Sequence, residues 1–421
     1  VSSIPQVKLH PLAIKALRQG HFWITEDSFT KKFPVSVDFL QGTDEEGRPL
    51  ALLLNSPSHK QIKARLWRFL PSNEKLVFNF AQELSFRIES ALVRRLELIA
   101  AQERENYFLI FGEGDELPGL FVQQLGSVLL FQYYTDFWYK FEDLLSSFLL
   151  SSLAGHFPSK KFYLYVQRRS HDKKVVLHQL TKPASQINST PLPPLFSLQE
   201  FSVNYFIRLG EGYDFGLYTD MASIRKKLIP LFKKSSSVLN LYAYTGAFSL
   251  LAASCGVASI TSVDISRKYL GWLEENMAAN HFPTSFIHNG LNVSVEKGLE
   301  ELLKKEERFD LIVCDPPSAS SDGQKISSAL SNYEKMIPKM EKLLSVDGHL
   351  LIFLNTHTVS AKKFENKILQ ILQQKKLANV FFVERLIGLA EDCPTKKGFP
   401  EGSYLKGILL KKSSQDYKKR S

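Results

Sequence analysis

The chain has 421 residues, 44% hydrophobic and 23% charged, with three cysteines and a formal net charge of +10. This composition excludes a mainly disordered chain, and the length exceeds what one core ordinarily holds, so two or three domains are expected. No run of 18 apolar residues reads as a membrane span, and the opening VSSIPQVKLHPLAIKALRQG lacks the apolar centre of a secretion leader. Cys255, Cys314 and Cys393 form no CxxC pair. A disulfide scaffold and a structural zinc site are therefore not expected, no other metal is implied, and a reducing cytoplasm is the expected compartment. The basic surplus concentrates at the ends, +4 over residues 1–75 and +5 over residues 404–421. Basic ends flanking a near-neutral middle suit phosphate contacts with a polyanion, although a solvated, frayed tail would read the same way.

In chain order, residues 1–72 mix short apolar runs with turn clusters, DEEGRP and NSPSH among them, and read as a small β-rich module. Apolar residues at three- and four-residue spacing predict a helix over 80–102. Strands and Gly/Pro turns follow through FLIFGEGDELPGLFVQQLGSVLLFQYY, then a helix over 136–153. TKPASQINSTPLPPL (181–195), rich in Pro, Ser and Thr, is the linker candidate. An antiparallel strand pair is expected over 196–209. From Val238 strands and helices alternate: SVLNLY, SITSVD, TSFIHN, FDLIVCD and HLLIFLN, with helices at 246–254, 266–280, 294–305, 326–345 and 360–376. Two closing strands, ANVFFVERLIG and SYLKGILLKK, complete a parallel sheet covered by helices on both faces. No internal repeat is present.

In such a sheet ligands sit at the carboxyl ends of the strands. The first strand runs into NLYAYTGAFSL, with Asn240 at its end and Gly246 in the turn before a helix. That arrangement offers backbone N–H groups to an anionic or carboxylate-bearing ligand, although a plain strand-to-helix turn would look similar. Asp264 and its neighbour Ile265 end the second strand, twenty-four residues after Asn240. This is the distance at which an acidic residue meets ribose hydroxyls in nucleotide folds, and the alternative role for Asp264 is a helix N-cap. The GxGxxG fingerprint of dinucleotide binding is missing, which leaves S-adenosylmethionine as the other user of this geometry. The fourth strand ends in Asp315, Pro316 and Pro317; the prolines stop the strand and stiffen the backbone beside a carboxylate. A rigid loop there can hold a flat base near a methyl donor.

Together NLYAYTGAFSL, SVDISRKYLGWLEEN, FDLIVCDPP and FPEGSYLKGILL resemble the bacterial 23S rRNA large-subunit methyltransferases that carry an N-terminal PUA domain. LALLLNSPSHKQIKARLWRF, GEGDELPGLFVQQLGSVLLFQ and GYDFGLYTDMASIRKKL extend the resemblance over nearly the whole chain. It implies an α/β fold: a class I methyltransferase, Rossmann-like sheet, mostly parallel with an antiparallel last strand. A small β-rich PUA-like domain and an α+β middle domain would precede that sheet. The implied boundaries are 1–72 for the PUA-like RNA-binding domain, 73–190 for the middle domain and 191–421 for the methyltransferase domain. S-adenosylmethionine is the implied cofactor, large-subunit rRNA the implied partner, and a homodimer is compatible with it.

Carried over by motif, Asp220 approaches the cofactor, Tyr244, Thr245 and Gly246 line its methionine end, and Asp264 meets its ribose. Asp315, Pro316 and Pro317 flank the reacting centre. Two departures stand out. The family's aspartate after the third strand, a partner for the adenine amino group, is replaced in FIHNGLN, where Asn289 is the expected acceptor. TDMAS replaces a more polar stretch around Asp220. These changes motivate one rival, a noncatalytic RNA-binding or ribosome assembly factor on a decayed methyltransferase fold.

The acceptor atom is a matter of chemistry. Cytosine C5 becomes nucleophilic only after a thiolate adds at C6, so that reaction needs an activated cysteine. In the cytosine branch of the family it follows strand five, where this chain reads LLIFLNTHTVS and the matching position is Asn355. A ring nitrogen such as guanine N7 keeps an in-plane lone pair and needs only alignment and electrostatics. The guanine branch resembles this chain in having Asn after strand five and in its VDISRKYLGW run. The expectation is therefore ring-nitrogen methylation with Asn355 orienting the acceptor, and cytosine C5 methylation by a displaced nucleophile, Cys393, is the other rival. Cys255 and Cys314 are expected as core filler. Lys63, Arg65, Trp67 and Arg68 cluster on the last strand of the first module, a pattern that fits RNA binding or an ordinary exposed strand.

Overall fold

The structure is a computed structural model and describes residues 4–30, 33–71, 77–157, 160–169, 175–181, 187–188, 190–193, 195–210, 215–283, 285–317, 319–321 and 326–413. Much of the linker candidate and the end of the basic tail therefore lie outside the described residues. The chain divides into two compact units: Val1–Phe196 with Arg208–Phe215 and Asp392–Gly402, and Ser197–Ile207 with Gly216–Glu391 and Ser403–Ser421.

The first unit holds two sheets. β1 (Gln6–Lys8), α1 (Pro11–Arg18), β2 (Trp23–Thr25), β3 (Phe39–Thr43), β4 (Pro49–Asn55) and β5 (Ile62–Phe69) form one, in the order β1-β3-β4-β5-β2. After α2 (Phe80–Val93) and α3 (Leu96–Ala100), β6 (Asn106–Phe111), β7 (Leu120–Leu125), β8 (Val128–Tyr133), α4 (Glu142–Ala154), β9 (Tyr163–Arg169) and β10 (Val175–Leu180) build the other, in the order β10-β9-β8-β7-β6. Leu52, Leu54 and Trp67 of the first sheet share one core cluster with Leu84 and Ile88 of α2 and Val122 and Phe131 of the second sheet. The two modules read from the sequence therefore bury apolar surface in common.

The single helix expected over 80–102 is broken between α2 and α3. Arg95 sits at the break with its guanidinium fully buried, forked onto the Asp115 carboxylate at 2.7 and 2.6 Å and donating from Nε to the Phe108 carbonyl. A buried cation needs this set of acceptors, and the need outweighs continued helix periodicity. Asp392, far along the sequence, belongs to the same cluster: it accepts from the Phe108 N–H at 2.7 Å and pairs with Arg104 at 3.0 Å. Phe399 packs edge-on against Trp23 at 5.0 Å and joins the core of the first sheet.

The second unit opens with the hairpin β11 (Phe196–Glu200) and β12 (Val203–Ile207), then α5 (Ala222–Phe232). There follow β13 (Ser237–Leu241), α6 (Ala247–Ser254), β14 (Ser259–Val263), α7 (Arg267–Ala279), β15 (Ile287–Leu291), α8 (Val295–Lys304) and β16 (Phe309–Cys314). A short antiparallel pair, β17 (Ala319–Ser321) and β18 (Ile326–Ser328), precedes α9 (Ala329–Leu343), β19 (Leu344–Asn355), α10 (Ala361–Gln374), β20 (Phe381–Ile387) and β21 (Leu405–Lys412). The seven-stranded sheet runs β15-β14-β13-β16-β19-β21-β20, parallel except for β21, which is antiparallel to both neighbours. This is the sheet the sequence predicted, last strand included. Its apolar strands read as continuous runs because helices cover both faces, and Leu241, Ile312 and Ile352 pack with Leu299 of α8 and Ile337 of α9.

One face of α7 and its C-cap carries Trp272, Asn276 and Asn280 at four-residue spacing. Asn276 accepts from the Phe206 N–H and donates to the Thr245 carbonyl, and Asn280 both accepts from and donates to the Asn204 backbone. These amides tie the hairpin and the turn after β13 to one helix.

Candidate active site

The carboxyl ends of the parallel strands present a row of loops, and the turn after β13 is the most constrained. Tyr242, Tyr244 and Gly246 adopt left-handed backbone angles, with φ of 58°, 52° and 88°. Alternation of this kind turns backbone N–H groups toward a shared concavity. Thr245 is fully buried and donates from Oγ1 to the Gly216 carbonyl at 2.5 Å, while the Gly216 N–H donates to the Tyr244 hydroxyl at 3.0 Å. The segment before α5 is thereby strapped onto the turn. A Cβ on Gly246 would stand 2.4 Å from Leu273 Cγ of α7. Gly246→Ala is accordingly expected to cost about 1–3 kcal/mol, from the clash and the left-handed backbone together. Thermal melting measures it, and a melting temperature equal to that of the native chain would show that α7 yields freely.

Asp264 follows β14 and supports the same turn. Its Oδ2 accepts from the Tyr244 N–H at 2.9 Å and its Oδ1 from the Ser266 N–H at 2.8 Å. The N-cap of α7 is Ser266, whose hydroxyl accepts from the Tyr269 N–H, so Asp264 is not the helix cap. A carboxylate has about four acceptor positions, and two backbone donors leave room for a diol. Ile265, beside it, is 70% exposed and offers an apolar platform.

Two expectations change here. Asn289 lies in the middle of β15, paired with Thr261, not after the strand. The sequence reading ended that strand too early because FIHNG carries turn-forming residues that the edge of a sheet tolerates. The residue level with Asp264 is Asn292, exposed, whose amide donates to the Asp264 and Ile265 carbonyls. Asn240 is 2% exposed and its amide donates to Ser249 Oγ at 2.8 Å. Ser249 in turn meets Ser262, and Ser262 meets His288, whose pKa burial lowers to about 4. Asn240 thus holds the strands together from inside the sheet instead of facing a ligand.

Asp315 is half-buried at the end of β16, followed by buried Pro316 and exposed Pro317. Burial, and then the negative charge of Asp220, push its carboxyl up to about 7. Asp220 is fixed by Tyr404, whose hydroxyl donates to Oδ2 at 2.6 Å, and by the Ala390 N–H on its carbonyl. Tyr404 immediately precedes β21 and accepts from the Thr356 N–H through its own carbonyl, which places it next to the loop after β19. Asn355, the last residue of β19, is exposed, as is His357. Lys406 is 4% exposed and donates to the Thr356 and Tyr404 carbonyls, bracing that loop. Nothing local in FPEGSYLKG assigns Tyr404 or Lys406 a task; the antiparallel return of β21 brings both to this edge.

The TDMAS segment bears on what the crevice would accept. Thr219 and Ser223, on either side of Asp220, are buried, and their hydroxyl oxygens have no hydrogen-bond partner among the described residues. Buried hydroxyls without partners are costly, and a polar ligand end at Asp220 would satisfy them. With an acceptor for a diol at Asp264, an apolar platform at Ile265 and two carboxylates at the far side, these residues fit a nucleoside with a positively charged end.

The expected RNA-contacting cluster does not form a surface. β5 lies between β4 and β2, so it is not an edge strand. Arg65 is 2% exposed, spent on Ser56, the Tyr134 carbonyl and Glu113, and burial pulls its pKa down to about 10. Trp67 is buried, donates to Glu83, and is covered by the Arg87 guanidinium at 3.6 Å. Arg68 pairs with Glu83, and Lys63 is half-buried with Nζ 3.8 Å from Glu26. The period-two pattern is present, but both sides of the strand are used within the unit. Among the cysteines, Cys314 is buried with its thiol pushed well above the usual range by burial, and Cys393 is 3% exposed inside the first unit. Cys255 is half-buried at the end of α6, not core as expected.

Comparison with known proteins bears on the family and the fold. Residues 166–407 match the family described as S-adenosylmethionine-dependent methyltransferase. The chain is 29% identical over 410 residues to ribosomal RNA large subunit methyltransferase I of Shewanella denitrificans, covering 96% of this chain and 99% of the relative. It is 28% identical over 409 residues to the protein of the same name from Shewanella frigidimarina, again covering 96% and 99%. A solved structure described as a methyltransferase complexed with SAH superposes with a TM-score of 0.79 at 21% identity, over 97% of this chain and 100% of that one. At that identity the superposition speaks to the fold.

Proposed function

The chain belongs to the S-adenosylmethionine-dependent methyltransferase family, and from that premise we propose that it methylates a ring nitrogen, guanine N7 foremost, of a base in large-subunit ribosomal RNA. The cofactor supplies an electrophilic methyl group on a sulfonium. The RNA assignment draws on relatives aligned over nearly the whole chain that are named for that substrate. In this reading Asp264 holds the ribose, Ile265 and Asn292 flank the adenine, and the turn Tyr244 to Gly246 lies along the methionine end. Asp220 and Asp315 face the charge, and Asp315 to Pro317 with Asn355 shape the base pocket. The 1–72 and 73–190 blocks serve as PUA-like and middle modules beside a methyltransferase block from 191, in a cytoplasmic protein.

The observation that carries the choice of atom is Asn355, an exposed amide at the end of β19 where the thiolate chemistry of cytosine C5 would need a cysteine. The cysteines themselves point the same way. Burial raises the thiols of Cys314 and Cys255, the reverse of activation, and Cys393 is buried. An amide can orient a base through donor and acceptor atoms, and a nitrogen lone pair in the ring plane needs no general base.

The test is mass analysis of nucleosides from large-subunit rRNA of a strain lacking the protein, with the purified chain added back. Loss and restoration of one 7-methylguanosine is the expected result. Loss of one 5-methylcytidine would replace the nitrogen assignment with the cytosine one, and an unchanged profile would remove this rRNA as substrate.

A further inference from the structure

Three tyrosine rings form a row along the carboxyl edge of the seven-stranded sheet. Tyr269, in the first turn of α7, meets the Tyr244 ring edge-on at 4.6 Å, and Tyr244 meets the Tyr218 ring at 5.3 Å with the planes tilted by 42°. Aromatic pairs attract at these separations. The row starts beside Asp264, which accepts from the Tyr244 N–H, and ends two residues before Asp220. Its middle ring is fixed from the other side too, because the Tyr244 hydroxyl accepts from the Gly216 N–H at 3.0 Å. The Tyr218 backbone is also anchored. Its carbonyl accepts from Arg225 Nη2 at 2.9 Å, and that guanidinium is forked onto Glu200 at 2.5 and 2.8 Å, with both charged side chains buried. Tyr218 itself is nevertheless 46% exposed. Among the described Phe, Tyr and Trp residues of the second unit, only Phe382 is comparably open, and it lies on the edge strand β20. A ring braced from behind and open in front is pre-organised to receive a flat partner.

We propose that Tyr218 is the platform on which the acceptor base of the RNA stacks during methyl transfer, with Tyr244 and Tyr269 bracing it. The inference rests on the function proposed above and deepens it by assigning a residue to the face of the base. The adenine of the cofactor has its own flanking groups in Ile265 and Asn292, next to Asp264. Tyr218 stands at the opposite end of the row, by Asp220, where the donor end lies in that reading. The transfer breaks the sulfur–methyl bond, leaves its electron pair on sulfur, and forms a bond to the lone pair of a ring nitrogen. That lone pair lies in the base plane, so a positioning group must grip the face of the base and leave its edge open toward sulfur. Stacking does this, and an edge-on hydrogen bond at the reacting atom would not. Positive charge passes from sulfur to the base as the bond forms, and the electron-rich face of a tyrosine favours a stacked cation.

The test compares the full native chain with Tyr218→Leu and Tyr218→Phe, using large-subunit rRNA purified from a strain lacking the protein as methyl acceptor. Tyr218→Leu is expected to lower kcat/KM for the RNA by about ten- to a hundredfold, the range of one lost base–aromatic stack. Its affinity for S-adenosylmethionine, measured by calorimetry, should stay within about twofold of native. Tyr218→Phe should regain most of the lost kcat/KM, since the ring and not the hydroxyl does the stacking. Thermal melting checks that the leucine variant is folded, and Tyr218→Met takes its place if it is not. A leucine variant with native kcat/KM would overturn the platform. So would one that loses S-adenosylmethionine affinity by the same factor, which would give the ring to the cofactor, or a phenylalanine variant no better than leucine. If the native chain binds S-adenosylmethionine and methylates none of this RNA, the substrate reading falls and takes the platform with it.

Discussion

Asp264→Ala is expected to lower S-adenosylmethionine affinity by about 3 kcal/mol, on the order of a hundredfold. A ribose contact alone accounts for roughly 1–3 kcal/mol, the range of a charge-assisted hydrogen bond. The structure adds a second loss, because Asp264 also accepts from the Tyr244 and Ser266 N–H groups and so holds the turn after β13 in its left-handed course. Asp264→Asn separates the two contributions. Its amide oxygen still accepts from one backbone N–H but the charge is lost, so its affinity should fall between those of the native chain and the alanine variant. Calorimetric titration of the three proteins is the measurement. An alanine variant that binds as tightly as the native chain would take Asp264 out of the cofactor site.

Asp392→Ala should destabilise the first unit by about 3–5 kcal/mol, the cost of leaving a buried cation without its partner. The Asp392 carboxylate is fully buried, pairs with the 5% exposed Arg104 side chain, and accepts from the Phe108 N–H at 2.7 Å. Removing it strands a guanidinium and a backbone donor in the interior. Three of the chain's four tryptophans, Trp23, Trp67 and Trp138, lie in this unit. Urea unfolding followed by tryptophan fluorescence therefore reports on it. Lys396→Ala, in the neighbouring but solvent-exposed pair with Glu116, should cost no more than about 1 kcal/mol. Similar midpoints for the two variants would mean that the buried cluster relaxes or admits water.

Asp392 also shows how distant segments combine. It follows β20 in the sequence, yet its segment through Gly402 belongs to the first unit with α1, β2 and the Arg95–Asp115 cluster. Close approaches explain why glycine recurs there. A Cβ on Gly398 would stand 1.8 Å from the Gln19 carbonyl, and one on Gly114 would stand 2.0 Å from that of Pro394. Sequence reading assigned this stretch to the closing part of the methyltransferase block because its neighbours on both sides are strands of that sheet. Contacts that join residues nearly three hundred positions apart leave no local periodicity to read.

The alternation of strands and helices from Val238 onward was legible because hydrophobic period and turn residues are local properties, and with them came the sheet, its crevice and the positions of Asp264 and Asp315. Which face of a strand meets solvent is not local. Arg65 and Trp67 alternate with apolar residues as an exposed basic strand would, and packing from both sides buried them. Asn240 and Asn289 were misplaced for a related reason: a strand's end and the direction of its side chains depend on register with neighbours. The amino-acid order by itself determined the fold class, the carboxyl edge at which Asp264 and Asp315 follow their strands, and the absence of a cysteine after strand five. Only the tertiary structure decided which polar groups reach that edge. Tyr404 reaches Asp220 through the antiparallel return of β21, and Asn292 reaches the Asp264 and Ile265 carbonyls through the pairing of β15 with β14.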